Sequence, residues 1–400
     1  MLPVLSYHRA ITSYFQQQPG VWDFFASRQH KEEQLQSFRT DLLKNTYQFD
    51  PAVETALYQK VSLAKEKLGL TLPVTIYQDQ YNSEVNAAIV YVGGEAHIVF
   101  SGKLIAVLTE DELLAIIGHE LSHVLLYTQL NGEVEVADRI VTAMANHPGS
   151  GAAQYETARL FKLYTELYCD RGAYLVTGHY APVITALVKL ATGLDSVQAD
   201  SYIKQAEEIF AADQHTRSSG FTHPENFIRA RATWAWHTSG NGADRLITEM
   251  IEGITGLDQL DLFGQERIQQ ITWLLVNSWL SVPWMKTVLV EAHTRQFLGN
   301  QAPELAVDLP ALARRIQSLH PSLQHYLAYV LYDFTVADKQ LEDLPMGLAF
   351  FLAANLHLEQ AFQAAVKKER KLTDKKLAQL KTSSMNALEQ RGNPLQFTHH

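Results

Sequence analysis

Apolar residues recur at three- and four-residue spacing after Thr109, and Leu113, Leu114, Ile116, Ile117, Leu121, Val124 and Leu125 form a wide apolar surface. That period belongs to an α-helix, and a surface this wide belongs to one buried in a core. Thr109 with Glu112 three residues on is a capping box, which satisfies the first free backbone N–H groups. Upstream the pattern is different. Residues 1–28 are aromatic and irregular and read as a packed arm or a short helix. Residues 30–45 and 51–68 read as amphipathic helices, the second closed by Gly69. Pro73 to Tyr77 reads as a strand. Asn86 to Val92 and Ala96 to Phe100 are β-branched and apolar, and Gly93-Gly94-Glu95 between them signals a hairpin.

Downstream of the apolar helix, Asn131 to Ser150 is a connecting stretch that ends in the loop Asn146 to Ser150. The period predicts a long helix over 152–177, closed by Gly178, then helices over 181–193 and 199–212. A polar loop, Asp213 to Gly220, follows. Thr222 and Glu225 give a second capping box, which places His223 in the first turn of a helix. Gly240, Gly242, Gly253 and Gly256 mark a linker or docking segment. Beyond it the chain reads as helical at 263–280, 311–318, 321–334, 345–358 and 372–390, with no internal repeat of fixed period. These elements define a mainly α fold of the α+β class: N-terminal arm and helices over 1–49, a domain with a small sheet over 50–240, and an all-α domain over 241–400.

Four hundred residues with 46% hydrophobic content suffice for two cores. Charged residues make up 19% and the net charge is −10, which argues against a nucleic-acid binder working through a basic surface. The single cysteine rules out an internal disulfide framework and fits a reducing compartment. The first twenty residues lack the basic segment and apolar core of a signal peptide. The uncharged stretches 172–188 and 268–285 are both interrupted by polar residues and proline, so neither reads as a membrane span. A cytoplasmic protein is the resulting expectation.

Candidate chemistry centres on His119-Glu120-Leu121-Ser122-His123. Residues four apart share a helix face, so both imidazoles can reach one ion while Glu120 stands beside it. Two histidines and a glutamate on a buried helix are costly unless something binds them, and zinc would. The long helix that follows carries Glu166, Cys169 and Asp170. Glu166 would complete a His₂Glu site with one position open for water, and Asp170, one turn on, suits a carboxylate that orients a ligating imidazole. Two other readings stand beside this one: Glu166 and Asp170 as an acidic pair on a solvated face, and Cys169 as the ligand in place of Glu166. His223 and Arg229 can supply donors to a developing oxyanion, or His223 can simply sit at a surface cap. The hairpin can hold an extended substrate by strand addition, or merely cover the core.

HELSH, then Glu166-x-x-x-Asp170, then His223-Pro224 with Arg229, in that order, resemble the HtpX and CAAX-prenyl-endopeptidase family of zinc metallopeptidases. Asn86-Ala87 and Asp111-Glu112-Leu113 resemble it as well, and the likeness covers roughly residues 50–240. It implies a zincin-like fold with one Zn²⁺ held by His119, His123 and Glu166, and Glu120 as general base. It implies Asn86 as a holder of the substrate backbone, and His223 with Arg229 as stabilisers of the tetrahedral intermediate. The best-known members are integral membrane proteins, whereas this chain offers no convincing span and resembles a soluble branch. The expected function is a zinc-dependent endopeptidase acting on protein or peptide substrates. The alternative is an inactive relative or a non-peptidase zinc hydrolase serving as a protein-binding module. Residues 325–343 faintly resemble the TerB-like helical domain, in which Asp338 and Glu342 would touch a metal or stand in a solvated turn. The basic residues Lys367, Lys368, Arg370, Lys371, Lys375 and Lys376 read as a solvated helix end. His399-His400 reads as native sequence or a tag remnant.

Overall fold

Residues 2–27, 32–299 and 307–392 are described by a computed structural model, and the chain divides into two units, Met1–Gly253 and Ile254–His400. The first unit opens with three helices, α1 (Ser6–Gln16), α2 (Pro19–Ala26) and α3 (Glu32–Asn45). The expected arm of residues 1–28 is therefore two helices, and α1 buries Tyr7, His8, Ile11 and Phe15. Strand β1 (Thr46–Gln48) leads to α4 (Thr55–Leu68), which ends at Gly69 in the left-handed region at φ +73°. Strands β2 (Val74–Asp79), β3 (Asn86–Val92) and β4 (Glu95–Ser101) complete a mixed sheet of order β1-β2-β4-β3. β2 pairs parallel to β4, and β3 closes the predicted hairpin antiparallel to β4, in register from Asn86 opposite Ser101 to Val92 opposite Glu95. β3 is thus an edge strand, and the period-two alternation of its exposure follows from one face lying on the protein.

After the single turn α5 (Leu104–Val107) comes α6 (Glu110–Thr128), the expected buried helix. Its capping box is formed: Thr109 N–H donates to the Glu112 carboxylate, and Glu112 N–H to Thr109 Oγ1. The same carboxylate takes a bond of 2.9 Å from buried Lys189, so the cap also ties in a later helix. The connecting stretch after α6 is helical over most of its length. There α7 (Glu133–Asn146) buries Val134, Val136, Ala137, Ile140 and Val141. The long helix α8 (Ala152–Thr177) ends as predicted at Gly178, φ +71°. α9 (Tyr180–Thr192), α10 (Ala199–Ala212), α11 (Asn226–Ser239) and α12 (Asp244–Ile251) complete the unit. α12 lies inside the glycine-marked stretch and buries Ile247, Met250 and Ile251, so that stretch is not extended linker throughout.

The core of the first unit is the contact between α6 and α8. Leu121, Val124 and Leu126 of α6 and Phe161, Leu163 and Leu167 of α8 are fully buried. Fully burying a leucine or phenylalanine side chain contributes roughly 1.5–3 kcal/mol. Two glycines let these helices approach closely. A Cβ built on Gly172 would lie 1.8 Å from Ser122 Oγ, and one on Gly118 would lie 3.0 Å from Val176 Cβ.

The second unit is helical, as expected: α13 (Leu262–Leu280), α14 (Val288–Leu298), α15 (Leu309–Gln317), α16 (Pro321–Thr335), α17 (Leu344–Asn355), α18 (Glu359–Glu369) and α19 (Asp374–Arg391). It has its own core, in which Trp279 stacks on Phe334 with ring centroids 5.8 Å apart. Asp338 is buried and accepts from Gln340 N–H, an ordinary cap of a short turn, and no cluster of three metal-ligating side chains stands there among the described residues. Lys367 pairs with Asp374 at 2.5 Å and Lys368 lies over the Tyr329 ring, so part of the basic cluster is engaged. His399-His400 lies outside the described residues.

Candidate active site

Eight residues singled out from the sequence line one cleft of ≈ 450 Å³: Asn86, His119, Glu120, His123, Glu166, Asp170, His223 and Arg229. The alternative reading of a solvated acidic face on α8 is overturned, because Glu166 is 7% and Asp170 1% exposed. α8 crosses α6 so that Glu166 Oε2 lies 3.4 Å from His119 Nε2 and Oε1 lies 3.8 Å from His123 Nε2. On its other nitrogen His119 Nδ1 donates to Asp170 Oδ1 at 3.0 Å, which fixes the ring and turns Nε2 toward Glu166.

Arg229, from α11, forks onto Asp170: Nε reaches Oδ2 and Nη2 reaches Oδ1, both at 2.7 Å. Nη2 also stands 3.5 Å from Glu166 Oε2. Two of its nitrogens bond Asp170, so Arg229 stands as a counter-charge for the two carboxylates. His223 departs from its expected setting too. No capping box forms, and α11 starts three residues later with Glu225 as N-cap. The Glu225 carboxylate instead takes bonds from Ser218 Oγ, Ser219 N and Ser219 Oγ. His223 therefore sits on the preceding loop, its side chain 59% exposed and its Nε2 3.6 Å from Glu166 Oε2. Asn86 is exposed at the start of β3 and its Oδ1 accepts from Ala87 N–H.

Electrostatics follow from burial and proximity. Burial lowers the pKa of His119, but the Asp170 and Glu166 carboxylates outweigh it and hold it up to about 10. Burial pulls His123 down to about 4. Burial likewise pushes Glu120 up to about 7, against the pull of His119 and Arg229. For Glu166 and Asp170 burial works the other way from their partners, and the partners win: His119 and Arg229 hold both carboxyls below their ordinary range. The pocket accordingly favours a positive charge between Glu166 and the imidazoles.

Two donor sets share these imidazoles. One donor atom from each of His119, His123 and Cys169 lies within 4.8 Å of the others. Cys169, however, is fully buried, does not line the cleft, and burial with nearby carboxylates pushes its thiol well above the ordinary range. Glu166 is an anion that lines the cleft beside both Nε2 atoms. The carboxylate set fits a divalent cation better.

Sequence reasoning passed over the glycines that set the α6–α8 distance and the apolar end of the cleft, formed by Ala115, Ala173, Val183 and Leu187. The signal at Ala115, Gly118, Gly172 and Ala173 was small residues on otherwise bulky helices. It also passed over Tyr127, one turn beyond His123, which lines the cleft and reaches Asp138 through its hydroxyl at 3.4 Å.

Residues 51–237, a little under half of the chain, match the family model of Peptidase family M48. The chain is also 30% identical over 163 residues to the plastoglobule-localized metallopeptidase 48, chloroplastic, of Arabidopsis thaliana. That alignment covers 37% of this chain and 47% of the relative, so the chain matches about half the relative's length. No solved structure matches the chain. The matched family is one of peptidases, and the relative is named a metallopeptidase. No helix among the described residues is long and apolar enough to cross a membrane. The TerB-like resemblance of the second unit finds no support in these comparisons.

Proposed function

We propose that the first unit is a zinc-dependent endopeptidase in which His119, His123 and Glu166 hold the metal and Glu120 is the general base. The observation that carries this reading is the convergence of two imidazoles and one carboxylate from two helices in a cleft bordered by an edge strand. Zinc held there would supply Lewis-acid polarisation of the scissile carbonyl and a lowered pKa for the attacking water. Glu120, pushed by burial toward a pKa near that of its task, takes a proton from the water and passes it to the leaving amine. Asp170 fixes the His119 ring, and Arg229 keeps Asp170 and Glu166 charged. β3 offers its free edge to an extended peptide, with Asn86 at the entrance. His223 Nε2, at the mouth of the cleft, donates to the oxyanion of the substrate adduct.

Cleavage of an unstructured protein tests the reading. Activity is expected to vanish with a chelator, return with zinc, and fall by more than about a thousandfold in Glu120→Gln while zinc content stays at one per chain. Undiminished hydrolysis in that variant would remove Glu120 from the mechanism. Full activity after complete metal removal would remove the zinc reading itself.

A further inference from the structure

Arg159 of α8 anchors the loop that carries His223. Arg159 is 11% exposed, and Glu156, one turn earlier, clamps it through two bonds, Nε to Oε2 at 2.8 Å and Nη2 to Oε1 at 2.7 Å. Held in that orientation, Nη1 donates to two backbone carbonyls of the loop, Gly220 O at 3.0 Å and Ser218 O at 3.3 Å. From the other end Glu225 gathers Ser218 and Ser219, and Ser218 N–H donates to Met250 O. Gly220 also packs directly on the histidine's backbone: an added Cβ would lie 2.0 Å from His223 O. The position of His223 is therefore transmitted through the carbonyl that Arg159 holds.

Arg159 and Glu166 are two helical turns apart, on the same face of α8, about 10 Å along its axis. One rigid helix thus carries both the carboxylate beside the imidazoles and the anchor of the loop that reaches over it. We infer that Arg159 is a positioning residue for His223, setting the distance between that imidazole and Glu166; this rests on the proposed role of His223 as oxyanion donor. A guanidinium suits the task because its planar fork serves the Glu156 carboxylate and the loop carbonyls at once, which an ammonium cannot do.

The test compares Arg159→Gln, Arg159→Lys, His223→Ala and the double variant Arg159→Gln/His223→Ala, as zinc-loaded full-length protein on a fluorogenic peptide. Removing an oxyanion donor costs on the order of a hundredfold in kcat. Arg159→Gln is expected to lose a similar factor in kcat with KM and zinc content unchanged, and Arg159→Lys to fall between it and wild type. In the His223→Ala background Arg159→Gln should cost nothing further, since its effect acts through a group already gone. Affinity for a phosphinic peptide, whose tetrahedral anion mimics the adduct, should drop in the same non-additive way. Wild-type kcat in Arg159→Gln overturns the inference, and so do losses that multiply in the double variant. If His223→Ala is itself fully active, the donor role fails and Arg159 loses its function with it. An inert wild-type protein that does not bind the phosphinic peptide instead removes the peptidase reading beneath both.

Discussion

Asp170 is 1% exposed and accepts three hydrogen bonds, two from Arg229 and one from His119. A buried ion left without its partner destabilises by several kcal/mol, so these three side chains stand or fall together. His119 and His123 were legible in the sequence because a four-residue spacing fixes their common face locally. The guanidinium's attachment to Asp170 was not, because it depends on how α11 meets α8. A second histidine gives the clearest pH signature. His8 is fully buried against Phe161 and Thr165, its Nε2 within 3.3 Å of Phe161 O and its Nδ1 without a partner. Burial pushes its pKa from 6.5 down to about 4. Between those values the unfolded chain binds more protons than the folded one, so stability is full above the unfolded value and falls as pH drops through the window. By about pH 5 the loss from this group reaches about 2 kcal/mol. Urea unfolding of chelated protein is expected to show His8→Gln losing about 2 kcal/mol less than wild type between pH 7 and pH 5. Equal losses would remove His8 as the cause.

Helices α6 and α8 make the site by lying close, and Gly172 against Ser122 sets how close. Alanine at 172 would place its Cβ 1.8 Å from Ser122 Oγ and 2.7 Å from Ser122 Cβ, so the helices must part. Overpacking of this kind destabilises by about 1–3 kcal/mol. Because Glu166 is carried by the displaced helix, Gly172→Ala should also weaken zinc binding by at least about tenfold, read by competition with a chromophoric chelator. Adding Ser122→Gly is expected to restore most of both losses, and no restoration would place the defect elsewhere. Elements with strong periods or clear caps were legible: α4 with Gly69, α6 with its box, α8 with Gly178 and the β3–β4 hairpin. Those without a capping side chain or whose pairing is made by distant chain were not. α7 starts after Gly132 with no side-chain cap, and the three residues of β1 are a strand only because β2 pairs with them. The box expected at Thr222 failed because Ser218 and Ser219 compete for the Glu225 carboxylate.

At the scale of the molecule, each unit has its own buried core, and the M48 match falls wholly within the first. A chain ending at Gly253 is therefore expected to fold, to bind one zinc, and to cleave an unstructured peptide with kcat/KM within about threefold of the full chain. A calorimetric melt of that shorter chain should rise on zinc addition, since a ligand bound only by the folded state stabilises it by mass action. A shorter chain that is unfolded or metal-free would show that the first unit is not autonomous. The character of the second unit as helical was plain from its spacing; what it does was not, because among its described residues no three metal-ligating side chains gather. One feature of the sheet has a price. β3 ends the sheet, and its sequence Asn86-Ala-Ala-Ile-Val-Tyr-Val92 contains no lysine, proline or acidic residue that would repel a newcomer. A border left open to receive a guest chain is equally open to another molecule's border, so concentrated protein without a bound peptide is the form most prone to clump, and a peptide that cannot be cut should act as its preservative.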